Sequence, residues 1–273
     1  MSAIDEVFAR CEEEERAAFI PFLMAGDPSL ESTAAQLEAL AAGGADIIEL
    51  GVPFSDPIAD GPTIQRSATR ALAAGAKMSA ILDLVARHRD RLDVPVVLFT
   101  YFNPIHVRGV ARFAEQAAAS GVDGVLCVDL PPEEGCRELV PALREQGVDA
   151  VYLLAPTSSR DRMKRVADAS SGFIYYVSRT GVTGEREALP AELLREVKRL
   201  RRRLPLPLAV GFGISNPAQV AAVGEVADGV VVGSGLVRLV EEMGADPDLP
   251  AALEQRVREL SAPLRKALRR RPA

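Results

Sequence analysis

Glu49 sits inside an apolar run, Ile47-Ile48-Glu49-Leu50. The chain then breaks at Gly51 into VPFSDPIADG, a loop stiffened by Pro53 and Pro57 and made polar by Ser55, Asp56 and Asp60. A carboxylate among residues bound for a core is costly unless it is paired or put to use. The stiff acidic loop behind it offers a second carboxylate, Asp60, aimed at the same place. Two carboxyl groups in unlike surroundings can act as general acid and general base. The same residues also admit a plainer reading, a strand-end Glu in a salt bridge and an Asp capping a turn.

Two later loops point to an anion. GFGIS, Gly211 to Ser215, and VGSGL, with Gly233-Ser234-Gly235, expose backbone N–H groups without side-chain obstruction, and each opens toward a helix. A helix N-terminus with a glycine approach is a natural phosphate cradle, although glycines also serve tight turns. A third stretch, SRTGVTGERE from Ser178 to Glu187, has Gly181 and Gly184 as hinges and Arg179 and Thr183 as polar contacts. Its length suits a lid, with a plain surface loop as the alternative.

Scarcities narrow the chemistry. The histidines are His88 and His106, too few for the ligand set of a metal-dependent aldolase. The lysines, Lys77, Lys164, Lys198 and Lys266, fall in predicted helices or just before one, which disfavours a Schiff base at a strand end. An isomerase pairing Glu49 with His106, which follows the third strand, stays open. The other course is a carboxylate pair acting on a phosphorylated substrate, and carbon–carbon cleavage by carboxylates alone requires the substrate to carry its own electron sink.

The elements that must position these groups alternate. A short amphipathic helix over residues 4–16 precedes strand one, Phe19–Met24. The turn Gly26-Asp27-Pro28-Ser29 leads into a helix ending at Gly43-Gly44. The Glu49 run is strand two, followed by helical sequence over Thr63–Ala74 and Ser79–Arg91. Strands three to eight are expected at Val94–Phe99, Gly124–Val128, Ala150–Leu154, Phe173–Val177, Leu208–Gly211 and Gly229–Val232. Helices are expected at about Val110–Ser120, up to Gln146, Arg160–Ala169, Ala191–Arg203, Asn216–Val223 and Leu249–Arg269. Continuous Val/Ile/Leu strands belong to parallel sheets covered on both faces. Eight strand–helix units in 273 residues predict one α/β domain over 1–273, a (β/α)8 TIM barrel with an extra N-terminal helix. A doubly wound sheet is disfavoured because no Gly-x-Gly-x-x-Gly turn follows strand one.

Bulk properties set the class. The composition, 48% hydrophobic and 26% charged, is that of a soluble globular chain, with no apolar run long enough to span a membrane. The net charge of −6 argues against nucleic acid as a partner, and the arginine-rich end reads as a solvated helix terminus. Cys11, Cys127 and Cys136 form neither a metal motif nor a disulfide framework. A reduced cytoplasmic setting is the simplest expectation.

Taken together, PFLMAGDPS, ELGVPFSDPIADGPTIQRS, DLPPEE, SRTGVTG, GFGIS and the strand-eight VVGS identify the chain as similar, over nearly its full length, to the alpha subunits of tryptophan synthase. The resemblance implies a (β/α)8 lyase that cleaves indole-3-glycerol phosphate to indole and glyceraldehyde 3-phosphate, the indole ring being the electron sink. It implies that Glu49 is the principal acid–base, that Asp60 holds the indole N–H, and that Thr183 orients Asp60 as the lid closes. Phosphate would rest on Gly184, Gly213, Gly233 and Ser234. Phe22, Thr100, Cys127, Tyr175 and Phe212 would line the indole pocket. A beta subunit carrying pyridoxal phosphate, in an alpha–beta–beta–alpha heterotetramer, would be the partner, met through the SDPIADGP and DLPPEE loops. No cofactor is expected in this chain. Two other readings stay open, the Glu49–His106 isomerase and a non-catalytic barrel that binds a beta-type partner.

Overall fold

The computed structural model describes residues 1–177, 189–211 and 213–266. Among them eight parallel strands close a barrel in sequence order, with β8 paired back onto β1. They are β1 (Ala18–Met24), β2 (Ile48–Gly51), β3 (Val96–Thr100), β4 (Gly124–Cys127), β5 (Asp149–Leu154), β6 (Ile174–Val177), β7 (Leu208–Gly211) and β8 (Gly229–Val232). Helix α1 (Ala3–Glu13) precedes β1, and α2 (Leu30–Gly43) follows it. Next come α3 (Pro62–Ala73) and α4 (Met78–His88) after β2, α5 (Phe102–Arg108) and α6 (Val110–Ala119) after β3, and α7 (Pro132–Gly135) and α8 (Leu139–Glu145) after β4. Helices α9 (Arg160–Ala169), α10 (Ala191–Arg201) and α11 (Pro217–Gly224) follow β5, β6 and β7, and α12 (Ser234–Met243) and α13 (Leu249–Lys266) follow β8. The expected TIM barrel is the fold.

Every residue of β1 is buried, as a strand between barrel lumen and helix layer must be. Successive side chains point to opposite faces, so each strand feeds two cores. One lies between the strands and the outer helices. The other fills the lumen with Ala18, Ile20, Ile47, Val97, Leu126, Val151, Phe173 and Tyr175. Helix α1 closes the N-terminal end of that lumen. Its buried stripe, Ile4, Val7, Phe8 and Cys11, joins the lumen core, with Phe8 against Phe173 at 5.7 Å between ring centroids. Each large member of the stripe contributes on the order of 1.5–3 kcal/mol by leaving water. A reciprocal cap starts the helix: the Asp5 N–H donates to Ser2 Oγ, and the Ser2 N–H donates to Asp5 Oδ2.

Three features differ from expectation. Strand β3 begins at Val96, two residues late, because Pro95 has no N–H to give a ladder and supplies only its carbonyl to Ile48. A short helix, α5, follows β3 directly, and a separate helix, α12, lies between β8 and the expected terminal helix. The end of the terminal helix at Arg269 falls outside the described residues. No described helix is long and apolar enough to cross a membrane.

Candidate active site

Register carries Glu49 to the C-terminal mouth of the lumen. It pairs with Phe22 on β1 and Val97 on β3, and alternates with lumen-facing Ile47. At 2% exposure the carboxyl has lost its water. Burial, helped by the nearby negative charge of Asp60, pushes its pKa from 4.5 up to about 8. Glu49 is therefore a neutral acid at pH 7. Tyr175 stands close enough for the Glu49 charge to raise its phenol further above an already buried value.

Asp60 arrives from the loop between β2 and α3. The loop is tied down by the Asp60 N–H to the Pro57 carbonyl (3.1 Å), and by Gln65 Nε2 donating back to the Asp60 carbonyl (2.8 Å). Partial burial raises the Asp60 carboxyl to about 6, while a hydrogen bond from the Tyr101 hydroxyl holds it down. That same hydroxyl accepts the Ala59 N–H at 3.0 Å, and the Tyr101 ring packs on Phe54 at 5.0 Å. The two carboxyls are thus set apart, Glu49 made the weaker acid by its deeper burial and Asp60 the stronger, which is the division of labour an acid–base pair needs. Tyr101 was not foreseen. Its place directly after β3, where functional groups of such barrels gather, was the available signal.

Of the expected pocket residues, Phe22 and Tyr175 are at the mouth. The Phe22 ring meets Phe99 edge-on at 5.5 Å, and a Cβ on Gly51 would come within 2.7 Å of it. The Tyr175 hydroxyl lies where a Cβ on Gly211 would stand, so only glycine fits there. Thr100 and Cys127 are corrected. They pair in register, so they share a face. Cys127 packs in the outer core, whereas its neighbour Leu126 belongs to the lumen core and Phe99 and Val128 pack against that core. Position near a strand end does not tell which of two adjacent residues faces inward; alternation does. Phe212 lies outside the described residues, as do Thr183, Gly184 and the whole expected lid, Ser178 to Glu187.

The two glycine loops do come together. A Cβ on Gly235 would lie 3.9 Å from Ser215, and one on Gly233 would lie 3.3 Å from Phe22. Helix α12 starts at Ser234 behind Gly233, and its first carbonyl acceptor, Gly233, serves the N–H groups of Leu236 and Val237. The Ser234 and Gly235 N–H groups precede those bonds, at the positive end of the helix dipole. Gly213 has φ +75°, a conformation that favours glycine. The other loop stands farther from a helix than expected: α11 begins only at Pro217, capped by Asn216.

The competing chemistries find less support. The lysines all lie in helices or, for Lys77, just ahead of one. His106 is exposed on α5 with its ring against Phe102, whereas Glu49 is buried. Among the described residues no cluster of potential metal ligands occurs.

Known proteins match this chain over nearly its whole length. Residues 8–268 match the family model described as tryptophan synthase alpha chain. The tryptophan synthase alpha chain of Geobacter sulfurreducens is 50% identical over 268 residues, 98% of this chain and 99% of that protein. That of Acidithiobacillus ferrooxidans is 48% identical over 271 residues, 99% of each. Among solved structures, the alpha chain from Legionella pneumophila superposes with a TM-score of 0.89 at 35% identity, covering 97% of this chain and 98% of that one. A chain of the tryptophan synthase complex from Pyrococcus furiosus gives 0.82 at 41% identity, covering 90% and 98%. The chain belongs to the tryptophan synthase alpha chain family.

Proposed function

We propose that Glu49 and Asp60 are the residues through which this member of the family cleaves indole-3-glycerol phosphate to indole and glyceraldehyde 3-phosphate. The observation that carries the reading is the split carboxylate pair at the barrel mouth, one acid held neutral by burial and one held ionised beside Tyr101. Glu49 delivers its proton to C3 of the indole ring and leaves an indolenine cation. Asp60 accepts the hydrogen bond of the ring N–H and steadies the positive charge that grows there. The Glu49 carboxylate then takes the proton of the hydroxyl on the adjacent side-chain carbon. That carbon becomes an aldehyde, the carbon–carbon bond breaks, and its electrons restore the indole. Glu49 ends protonated, ready for the next turnover.

The phosphate rests on the open N-terminus of α12, at Gly233 and Ser234, with Gly213 and Gly184 completing the cradle. Phe22, Phe99, Leu126, Val128 and Tyr175, with Phe212, enclose the ring. Thr183 is assigned the role of orienting Asp60. The partner is a beta-type subunit that holds pyridoxal phosphate and receives the indole, in an alpha–beta–beta–alpha assembly. Exposed Ile58 and Val107, on the loop after β2 and on α5, suit a protein contact at this end of the barrel. The chain is read as working in the reduced cytoplasm, where its free cysteines keep their thiols.

The test is indole release from indole-3-glycerol phosphate by the purified chain, alone and with a beta subunit added. Slow release that the beta subunit stimulates supports the reading, and absence of indole under both conditions refutes it.

A further inference from the structure

One charged network joins the two halves of this site without touching either. Helix α3 starts two residues after Asp60, and Gln65 in its first turn holds the Asp60 carbonyl. The next residue, Arg66, and Arg70 one turn on share a face of the helix. Both grip Glu241 on α12. Arg66 Nε and Nη2 donate to the two Glu241 oxygens at 2.7 Å each, and Arg70 Nη1 donates to Oε1 at 2.8 Å. The rest of the Arg70 fork closes on buried Asp27, in the turn after β1, at 2.7 and 2.9 Å, and Asp27 also accepts the Ser67 hydroxyl.

Glu241 lies seven residues beyond Ser234, two turns along α12 on the same helix face, about 10 Å from the helix start. It sits in the last turn, where the helix dipole disfavours a carboxylate. The two arginines overcome this and pull its pKa down to about 2. Ion pairs that reach the surface, as the Arg66–Glu241 pair does, contribute little to stability, so folding alone is a weak reason for three side chains to converge this way. Their forked geometry fixes orientation instead.

We propose that Glu241 is a positioning residue: with Arg66 and Arg70 it sets the spacing between the helix start that holds the substrate phosphate and the loop that carries Asp60. A substrate anchored by its phosphate then meets the Asp60 carboxylate at the ring N–H in the reactive pose. This rests on the site reading above, which wild-type indole release tests separately in the same assay.

The experiment uses Glu241→Gln, which keeps shape and loses charge, and Arg66→Met, which removes one half-exposed arm and leaves the Arg70–Asp27 bond in place. The readouts are kcat, KM, inhibition by glycerol 3-phosphate, and the Asp60→Asn/Glu241→Gln double variant. Glu241→Gln is expected to lower kcat about 10- to 100-fold, the scale of a small displacement from reactive geometry. Arg66→Met should do so more mildly. KM and glycerol-phosphate inhibition should stay within about two-fold, because the phosphate cradle itself is untouched. On the Asp60→Asn background Glu241→Gln should cost nothing more, since both changes act through the same contact. An unchanged kcat in both single variants, or a Glu241→Gln loss that adds in full on that background, overturns the proposal.

Discussion

Replacing Glu49 with Gln should make this protein more stable and nearly inactive, and the gain in stability should grow with pH. The carboxyl titrates near 4.5 in an unfolded chain and near 8 in the folded one. Below pH 4.5 both states hold the proton and nothing is lost. As pH rises the unfolded chain releases its proton first, so the folded state binds more protons and stability falls until the folded group also ionises. Carried from pH 5 to pH 8.5, this difference amounts to roughly 4 kcal/mol lost by the wild type, an upper bound that water entry would reduce to about 2–4 kcal/mol. Gln does not titrate and escapes the penalty. Thermal unfolding at the two pH values should show the variant gaining on the wild type by about 5 °C more at the alkaline end, given about 2 °C per kcal/mol for a chain of this size. Indole release should fall by roughly 100- to 10,000-fold, the usual worth of a general acid–base group. If the advantage of Gln were the same at both pH values, Glu49 would be ionised and paired in the folded protein, and its assignment as a neutral acid would be wrong.

Further consequences can be measured directly. The pH profile of kcat/KM should be bell-shaped, its acid limb near 6 as Asp60 protonates and its alkaline limb near 8 as Glu49 ionises, both read as properties of the coupled pair. Tyr101→Phe removes the hydroxyl bond that holds Asp60 down, so the acid limb should move upward, while folding loses only about 1 kcal/mol from the orphaned Ala59 N–H. Gly213→Ala places a side chain at φ +75° and should cost about 1 kcal/mol in denaturant melts, with KM for the phosphorylated substrate rising more than kcat falls. Phe8→Ala, far from the mouth, should cost about 3–5 kcal/mol in the same melts and leave kcat unchanged wherever the chain remains folded.

Much of this molecule is legible along the chain because its signals are local. Val/Ile/Leu runs followed by amphipathic stretches announce strand–helix units whatever lies around them, and their number implies a closed barrel. Glu49 stands out as a carboxylate among apolar residues, Asp60 by its stiff loop, and the proposed phosphate cradle by its glycines. What the chain hid depends on distant neighbours. A strand buried on both faces shows no polar alternation, so nothing local says that Phe99 rather than Thr100, or Leu126 and Val128 rather than Cys127, looks into the lumen; the register of the closed sheet decides it. The split of the two carboxyl pKa values comes from the water each group loses, a property of the assembled mouth. Tyr101 reaches Ala59 from 42 residues away, and Arg66 meets Glu241 across 175. Residue type and spacing determined which groups could react, and only tertiary structure decided which of them meet, because burial and long-range contact exist only once the barrel has closed.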